Sequence, residues 1–178
     1  MPAAKSHSRS KAATRSKPTA GSGTVDATKL LAADHKEVKG LFAEYQKLAD
    51  ADAAGSDRQA LAQRICGLLT VHATIEEEIF YPAAREALDE QDVLDEAEVE
   101  HASVKDLVSQ IESMSPEDEL YDAKVKVLGE YVNHHATEEE GEMFPKCRKS
   151  EMDLAALGSE LEERKEDLMQ ELGLETPA

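Results

Sequence analysis

Apolar positions in this chain return at three- and four-residue intervals over long stretches, the period of helices that bury one face. Leu31, His35, Val38, Phe42, Tyr45 and Ala49 form the first such stripe and predict a helix from Asp26 to Asp50. Ala-Gly-Ser-Asp at 54–57 interrupts the pattern, with Ser56 or Asp57 as the next N-cap. A second stripe of Leu61, Ile65, Leu68, His72, Glu76 and Ile79 predicts a helix to Leu88, kinked or locally unwound near Pro82. The third, from Gln91 to Ser113, turns Val93, Ala97, His101, Val104, Val108 and Ile111 inward. Ser115-Pro-Glu-Asp118 has the form of a helix start, with a cap, a proline at the first position and acids in the first turn. From it a fourth helix runs to Lys146, burying Leu120, Val127, Tyr131, His135 and Glu139. Ser150-Glu-Met-Asp153 opens a fifth, whose stripe is Leu154, Leu157, Leu161, Leu168 and Leu172.

Four long helices with short connections predict an all-α fold, an antiparallel up-down four-helix bundle with an additional C-terminal helix. That helix is expected to cap the bundle, since an amphipathic helix beside a core packs on it. Residues 1–25 show no such period and hold five Lys/Arg with no acid, predicting a disordered basic tail. The resulting organisation is a tail at 1–25, a bundle at 26–147 and an amphipathic helix at 148–178. Composition agrees: 33% of residues are charged, 4% are aromatic, and there is no Trp. Residues 26–178 carry 15 bases against 38 acids, a net −23, which repels nucleic acid and anionic membranes. Nucleic-acid contact is therefore not expected except through the tail. Two cysteines give neither a disulfide framework nor cysteine zinc spacing, and no stretch reaches 18 apolar residues. A cytoplasmic protein with no membrane contact is expected.

The polar residues on the inward stripes carry the chemistry. His72-Ala-Thr-Ile-Glu76, with Phe-Tyr-Pro at 80–82, recurs as His135-Ala-Thr-Glu-Glu139, with Met-Phe-Pro at 143–145. Each copy sets a histidine and a glutamate one helical turn apart on one face. Upstream of each stands an acid–histidine pair, Asp34-His35 and Glu100-His101, 37 and 34 residues before the second histidine. In antiparallel neighbours His35 and His72 fall at nearly the same height. Burying two carboxylates costs several kcal/mol apiece unless they are paired or bound to a metal, and the stripes offer few cations. The six residues therefore read as metal ligands: His35, His72, Glu76, His101, His135 and Glu139. Imidazole with carboxylate and no thiolate suits Fe, Mn or Zn, and six ligands exceed one open tetrahedral zinc site. They divide between two ions, with His35 and His72 on one, His101 and His135 on the other, and Glu76 and Glu139 bridging.

Around these, His134 competes with His135, since His134/Glu138 has the same spacing; the repeat favours His135. Asp34 and Glu100 are read as solvated acids, with a hydrogen bond to a ligand histidine as the alternative. Glu77, Glu78, Glu138 and Glu140 are read as exposed charges, and Tyr45 and Tyr131 as core.

The pattern D-H, H-x-x-x-E, E-H, H-x-x-x-E over residues 26–147 resembles the hemerythrin-like HHE cation-binding domain family. The resemblance implies two Fe ions in an oxo- or hydroxo-bridged non-haem centre, with Mn as the lesser alternative, binding a small ligand such as O2, peroxide or NO. Two departures from the oxygen-carrying hemerythrins stand out. Lys105 replaces a second histidine one turn after His101, and Glu139 lies four residues after His135 where those proteins have an aspartate five on. A metal with fewer protein ligands favours sensing, storage or protection against oxidants over simple O2 carriage. A di-iron enzyme with catalase-like or ferroxidase activity is one alternative, and an interaction protein with a structural metal is another.

Overall fold

The structure is a computed structural model that describes residues 25–174; the expected disordered tail lies outside the described residues. Among the described residues seven α-helices follow one another: α1 Ala27–Asp50, α2 Gly55–Ile75, α3 Tyr81–Ala87, α4 Asp92–Glu112, α5 Tyr121–Glu138, α6 Phe144–Lys149 and α7 Leu154–Glu171. Two π-helical segments, Glu76–Phe80 and Glu139–Met143, join α2 to α3 and α5 to α6 without a break. The long rods are therefore α1, α2–π–α3, α4 and α5–π–α6. α1 packs on α2 and α5, and α4 on α2 and α5, which closes an antiparallel four-helix bundle.

Local chemistry explains most boundaries. The Asp26 carboxylate caps α1 by accepting from the Lys29 N–H at 3.1 Å. α2 opens at Gly55 behind Ala54 without a side-chain cap, so neither Ser56 nor Asp57 has that role. α5 starts later than its sequence signal suggests. The Asp118 carboxylate turns back onto the Ser115 N–H at 2.9 Å, and the Asp118 carbonyl takes the Tyr121 N–H at 3.0 Å. Ser115-Pro-Glu-Asp118 thus closes a local turn, and the helix begins at Tyr121. Within the helix Tyr121, Val125, Leu128, Val132, His135 and Ala136 are buried and Val127 is half-buried, while Leu120, just before it, and Tyr131 are exposed.

α7 lies against α1, α2 and the first π segment, as a capping helix would. Its Gly158 meets the chain just before α1 so closely that a Cβ there would fall 1.9 Å from the Val25 carbonyl oxygen. Leu161 and Leu168 are buried beneath it; Leu172, past the helix end, is exposed. Among the described residues no helix is long and apolar enough to cross a membrane.

The local unwinding expected near Pro82 takes the form of a π segment, repeated before Pro145, and each begins at the glutamate itself. Pro82 and Pro145 bring no N–H, and their rings clash with the carbonyl four residues back. The ladder shifts by one residue ahead of each: the Tyr81 N–H bonds the Glu76 carbonyl, and the Phe144 N–H the Glu139 carbonyl. In an α-helix, a residue five positions on lies about 140° around the axis. The i→i+5 bonds bring it above residue i instead, so Tyr81 stands over Glu76 and Phe144 over Glu139.

Candidate metal centre

Four layers of side chains stack inside the bundle. His35, His72, His101 and His135, one from each rod, form a histidine layer and are all buried. One turn away on one side lie Val38, Leu69, Val104 and Val132, which with the histidines enclose an apolar cavity of about 20 Å³. On the other side lie Glu76 and Glu139, 0% and 1% exposed. Beyond them Phe80, Tyr81, Met143 and Phe144 close the end, all fully buried or nearly so.

Each histidine is oriented by a carboxylate on its outer nitrogen. His72 Nδ1 lies 3.3 Å from Asp34 and His135 Nδ1 lies 2.6 Å from Glu100. His101 Nδ1 lies 2.9 Å from Glu77 and His35 Nδ1 lies 2.9 Å from Glu140. The pattern repeats with the sequence: the acid before the first histidine of each half holds the second histidine of that half. The acid after each inward glutamate crosses to hold the first histidine of the other half. Glu77 and Glu140 are therefore histidine partners and not merely exposed charges, and Asp34 and Glu100 are bonded and not solvated.

A carboxylate on Nδ1 places the proton there and leaves the Nε2 lone pair facing inward. Two pairs of such nitrogens result, with His35 Nε2 3.1 Å from His72 Nε2 and His101 Nε2 3.1 Å from His135 Nε2. Glu76 spans them, with Oε1 3.2 Å from His72 Nε2 and Oε2 3.2 Å from His101 Nε2. Glu139 Oε2 lies 3.2 Å from His35 Nε2 and 3.4 Å from His135 Nε2. Glu76 Oε1 and Glu139 Oε2 have no hydrogen-bond donor, although both are buried. Inward lone pairs at these separations repel unless protons or a cation lie between them. The donor set fits a metal: His35, His72, Glu76 and Glu139 form one group, and Glu76, His101 and His135 a second that shares Glu76.

Without metal, protons do this work. Burial opposes charge on His72, but Glu76 and Asp34 outweigh it and hold the imidazole well above its ordinary pKa. Burial also opposes ionisation of Glu76, yet His72 and His101 hold its carboxyl well below the ordinary range. His101 is raised against its burial by Glu76 and Glu77. The Tyr81 hydroxyl, which donates to Glu139 at 2.7 Å, is pushed well up by burial and by the Glu76 and Glu139 carboxylates.

Three further side chains border the site. His134 points out of the bundle, 65% exposed, between Glu100 and Glu138 at 3.3 Å each, so His135 is the inward histidine. Lys105 reaches Glu77 at 2.6 Å and so braces the carboxylate that holds His101. Tyr81 was legible only as part of a motif, because α-helical spacing from Glu76 turns it away; the proline one residue on is the signal for the register shift. From α7, Lys165 pairs with Asp34 and Arg164 with Glu78.

A helical bundle with a layer of histidines over paired buried carboxylates is a metal-binding class of domain. The hemerythrin HHE cation binding domain model matches residues 26–147, and the chain belongs to that family. A solved hemerythrin HHE cation binding domain-containing protein from Mycobacterium kansasii is similar at 25% identity, with a TM-score of 0.67 over 83% of this chain and 89% of that one. A DNA nickase from Nostoc sp. (strain PCC 7120 / SAG 25.82 / UTEX 2576) is 32% identical over 118 residues, 65% of this chain. The match spans 31% of the nickase's length.

Proposed function

We propose that the chain is a non-haem di-iron protein that binds O2, peroxide or NO for sensing, storage or protection against oxidants. The observation that carries this reading is the two Nε2 pairs, each 3.1 Å apart, facing two buried carboxylate oxygens that lack donors. His35 and His72 would hold one iron, His101 and His135 the other, with Glu76 and Glu139 between them. Bound there, the irons supply a redox couple and open positions for a small ligand.

The protein's own groups do the rest. Asp34, Glu77, Glu100 and Glu140 fix the histidine tautomers, and Lys105 and Lys165 fix two of those acids. The apolar cavity of about 20 Å³ against the histidines has room for a molecule of water's size but no polar wall beyond the site, which favours an apolar diatomic. The buried free thiols Cys66 and Cys147 accord with a reducing, cytoplasmic setting. The nickase's activity is not carried over, because the acidic body offers nucleic acid no favourable face.

Iron analysis of recombinant protein tests the reading. Roughly two irons per chain are expected, falling sharply in His72→Ala and Glu139→Ala. Full iron retention in both variants would refute it. Oxygen evolution from added peroxide, with iron-free protein as control, separates an enzyme from a ligand-binding protein.

A further inference from the structure

The two halves of the site differ at one atom that neither histidines nor glutamates supply. Five residues after Glu76 stands Tyr81, and five after Glu139 stands Phe144, both brought over the site by their π segments. Phe144 offers no donor; its ring stacks parallel to His35 with centroids 6.0 Å apart. The Tyr81 hydroxyl instead lies among four acceptors: Glu139 Oε1 at 2.7 Å, His101 Nε2 at 3.2 Å, His135 Nε2 at 3.4 Å and Glu76 Oε2 at 3.4 Å.

A phenol has one proton and donates one such bond, here to Glu139. Glu77 and Glu100 hold the Nδ1 protons of His101 and His135, so once a metal displaces the inward protons both Nε2 atoms would meet it, beside the phenol oxygen, as lone pairs. Metal–ligand bonds of about 2.1 Å put neighbouring ligand atoms about 3 Å apart in octahedral geometry. The separations among His101 Nε2, His135 Nε2, Glu76 Oε2 and Tyr81 Oη, from 3.1 to 3.4 Å, lie close to that value. Lys105, one turn beyond His101, faces outward onto Glu77 and offers that position no lone pair, so Glu76, His101 and His135 are the donors grouped there.

We propose that Tyr81 is a ligand of the metal held by His101 and His135, binding through its phenolate oxygen and making the two metal positions chemically different. This rests on the two-metal reading above. On binding, the O–H bond of Tyr81 breaks, its proton passes to solvent, and the oxygen lone pair forms the bond to the metal; no electron changes hands.

Resonance Raman spectroscopy of the full-length iron(III)-loaded protein tests this, with iron content measured on the same sample. A tyrosinate-to-iron(III) absorption band in the visible and enhanced tyrosinate ring modes are expected. The remaining tyrosines are elsewhere: Tyr45 donates to Asp122 at 2.6 Å, Tyr121 is buried in the apolar core, and Tyr131 is exposed. Tyr81→Phe should lose band and modes while keeping its iron, and Phe144→Tyr should gain intensity from a second tyrosinate. Iron-loaded wild type without tyrosinate modes would overturn the assignment of Tyr81 and leave the di-iron reading standing. Modes that survive in Tyr81→Phe would also overturn it. Wild type that takes up no iron would overturn both.

Discussion

Glu76→Met separates a metal ligand from a structural carboxylate, because the two roles predict opposite signs. Glu76 is fully buried and one of its oxygens has no donor. Its polar neighbours all keep another partner when it is removed: His72 keeps Asp34, His101 keeps Glu77, and Tyr81 keeps Glu139. Both imidazoles can discharge by losing a proton, so no buried cation is stranded. Methionine fills a similar volume with flexible apolar atoms. Removing one partner of a buried ion pair costs about 3 to 5 kcal/mol when the other charge stays behind. With both imidazoles discharged near pH 8 the exchange instead equals replacing the whole pair by apolar packing, which is neutral or stabilising by about 1 to 4 kcal/mol. In a chain of this size that raises Tm by about 2 to 16 °C, or leaves it unchanged. With iron the order reverses. A metal at a thousandfold excess over its Kd stabilises wild type by about 4 kcal/mol, some 8 to 16 °C, and the variant forfeits that gain. The assay is thermal unfolding followed by circular dichroism near pH 8, in chelator and in anaerobic iron(II). A variant clearly less stable than wild type in chelator, or one that keeps the full iron-induced rise, would refute the reasoning.

Other outcomes follow from the same geometry. His135→Ala should lose iron while His134→Ala retains it, since only His135 faces inward; iron content decides. Glu77→Gln and Glu140→Gln should each weaken metal binding about 10- to 100-fold in chelator competition, having lost the charge that holds a histidine in its tautomer. The pH dependence has a definite sign. His72 and His101 have raised folded pKa values, so their stabilisation of the metal-free protein is present below about pH 6.5 and fades as pH rises through those values. Glu76, with a depressed value, contributes above about pH 4.5 and fades as pH falls through it. Because metal competes with the histidine protons, the iron-induced rise in Tm should be larger at pH 8 than at pH 6; a larger rise at pH 6 would contradict the linkage. Cys66 and Cys147, buried with pKa values pushed up to about 12 and about 11 by burial, should resist alkylation at neutral pH until the protein unfolds.

The helical period and the repeated histidine–glutamate spacing were enough to read the bundle and the inward residues from sequence, because both depend on one-dimensional periodicity. In α4, Val93, Ala97, His101, Val104, Val108 and Ile111 are all buried as their spacing demands. What escaped depends on contacts across the chain or on broken periodicity. Glu77 and Glu140 look like surface charges in their own helices, and only the opposite half shows what they hold. Tyr81 is misplaced by a 3.6-residue count until the π shift is known. Leu120 falls just outside a helix that begins after the turn closed by Asp118, and Tyr131 is off the inward face because each four-residue step back from His135 turns about 40° around the axis.

The acids that hold the histidines also fix an electrical balance. Asp34, Glu76, Glu77, Glu100, Glu139 and Glu140 place six carboxylates on or beside the four imidazoles, and Lys105 and Lys165 return two positive charges. The remainder equals the charge of two divalent cations. On the two-iron reading such a pocket would be neutral with two iron(II) ions and Tyr81 still protonated, and overcharged with two iron(III) ions. Electrons would then leave most readily when protons, that of Tyr81 among them, leave with them. The outward-facing lysines would thereby control a redox potential from a distance, without touching the metal.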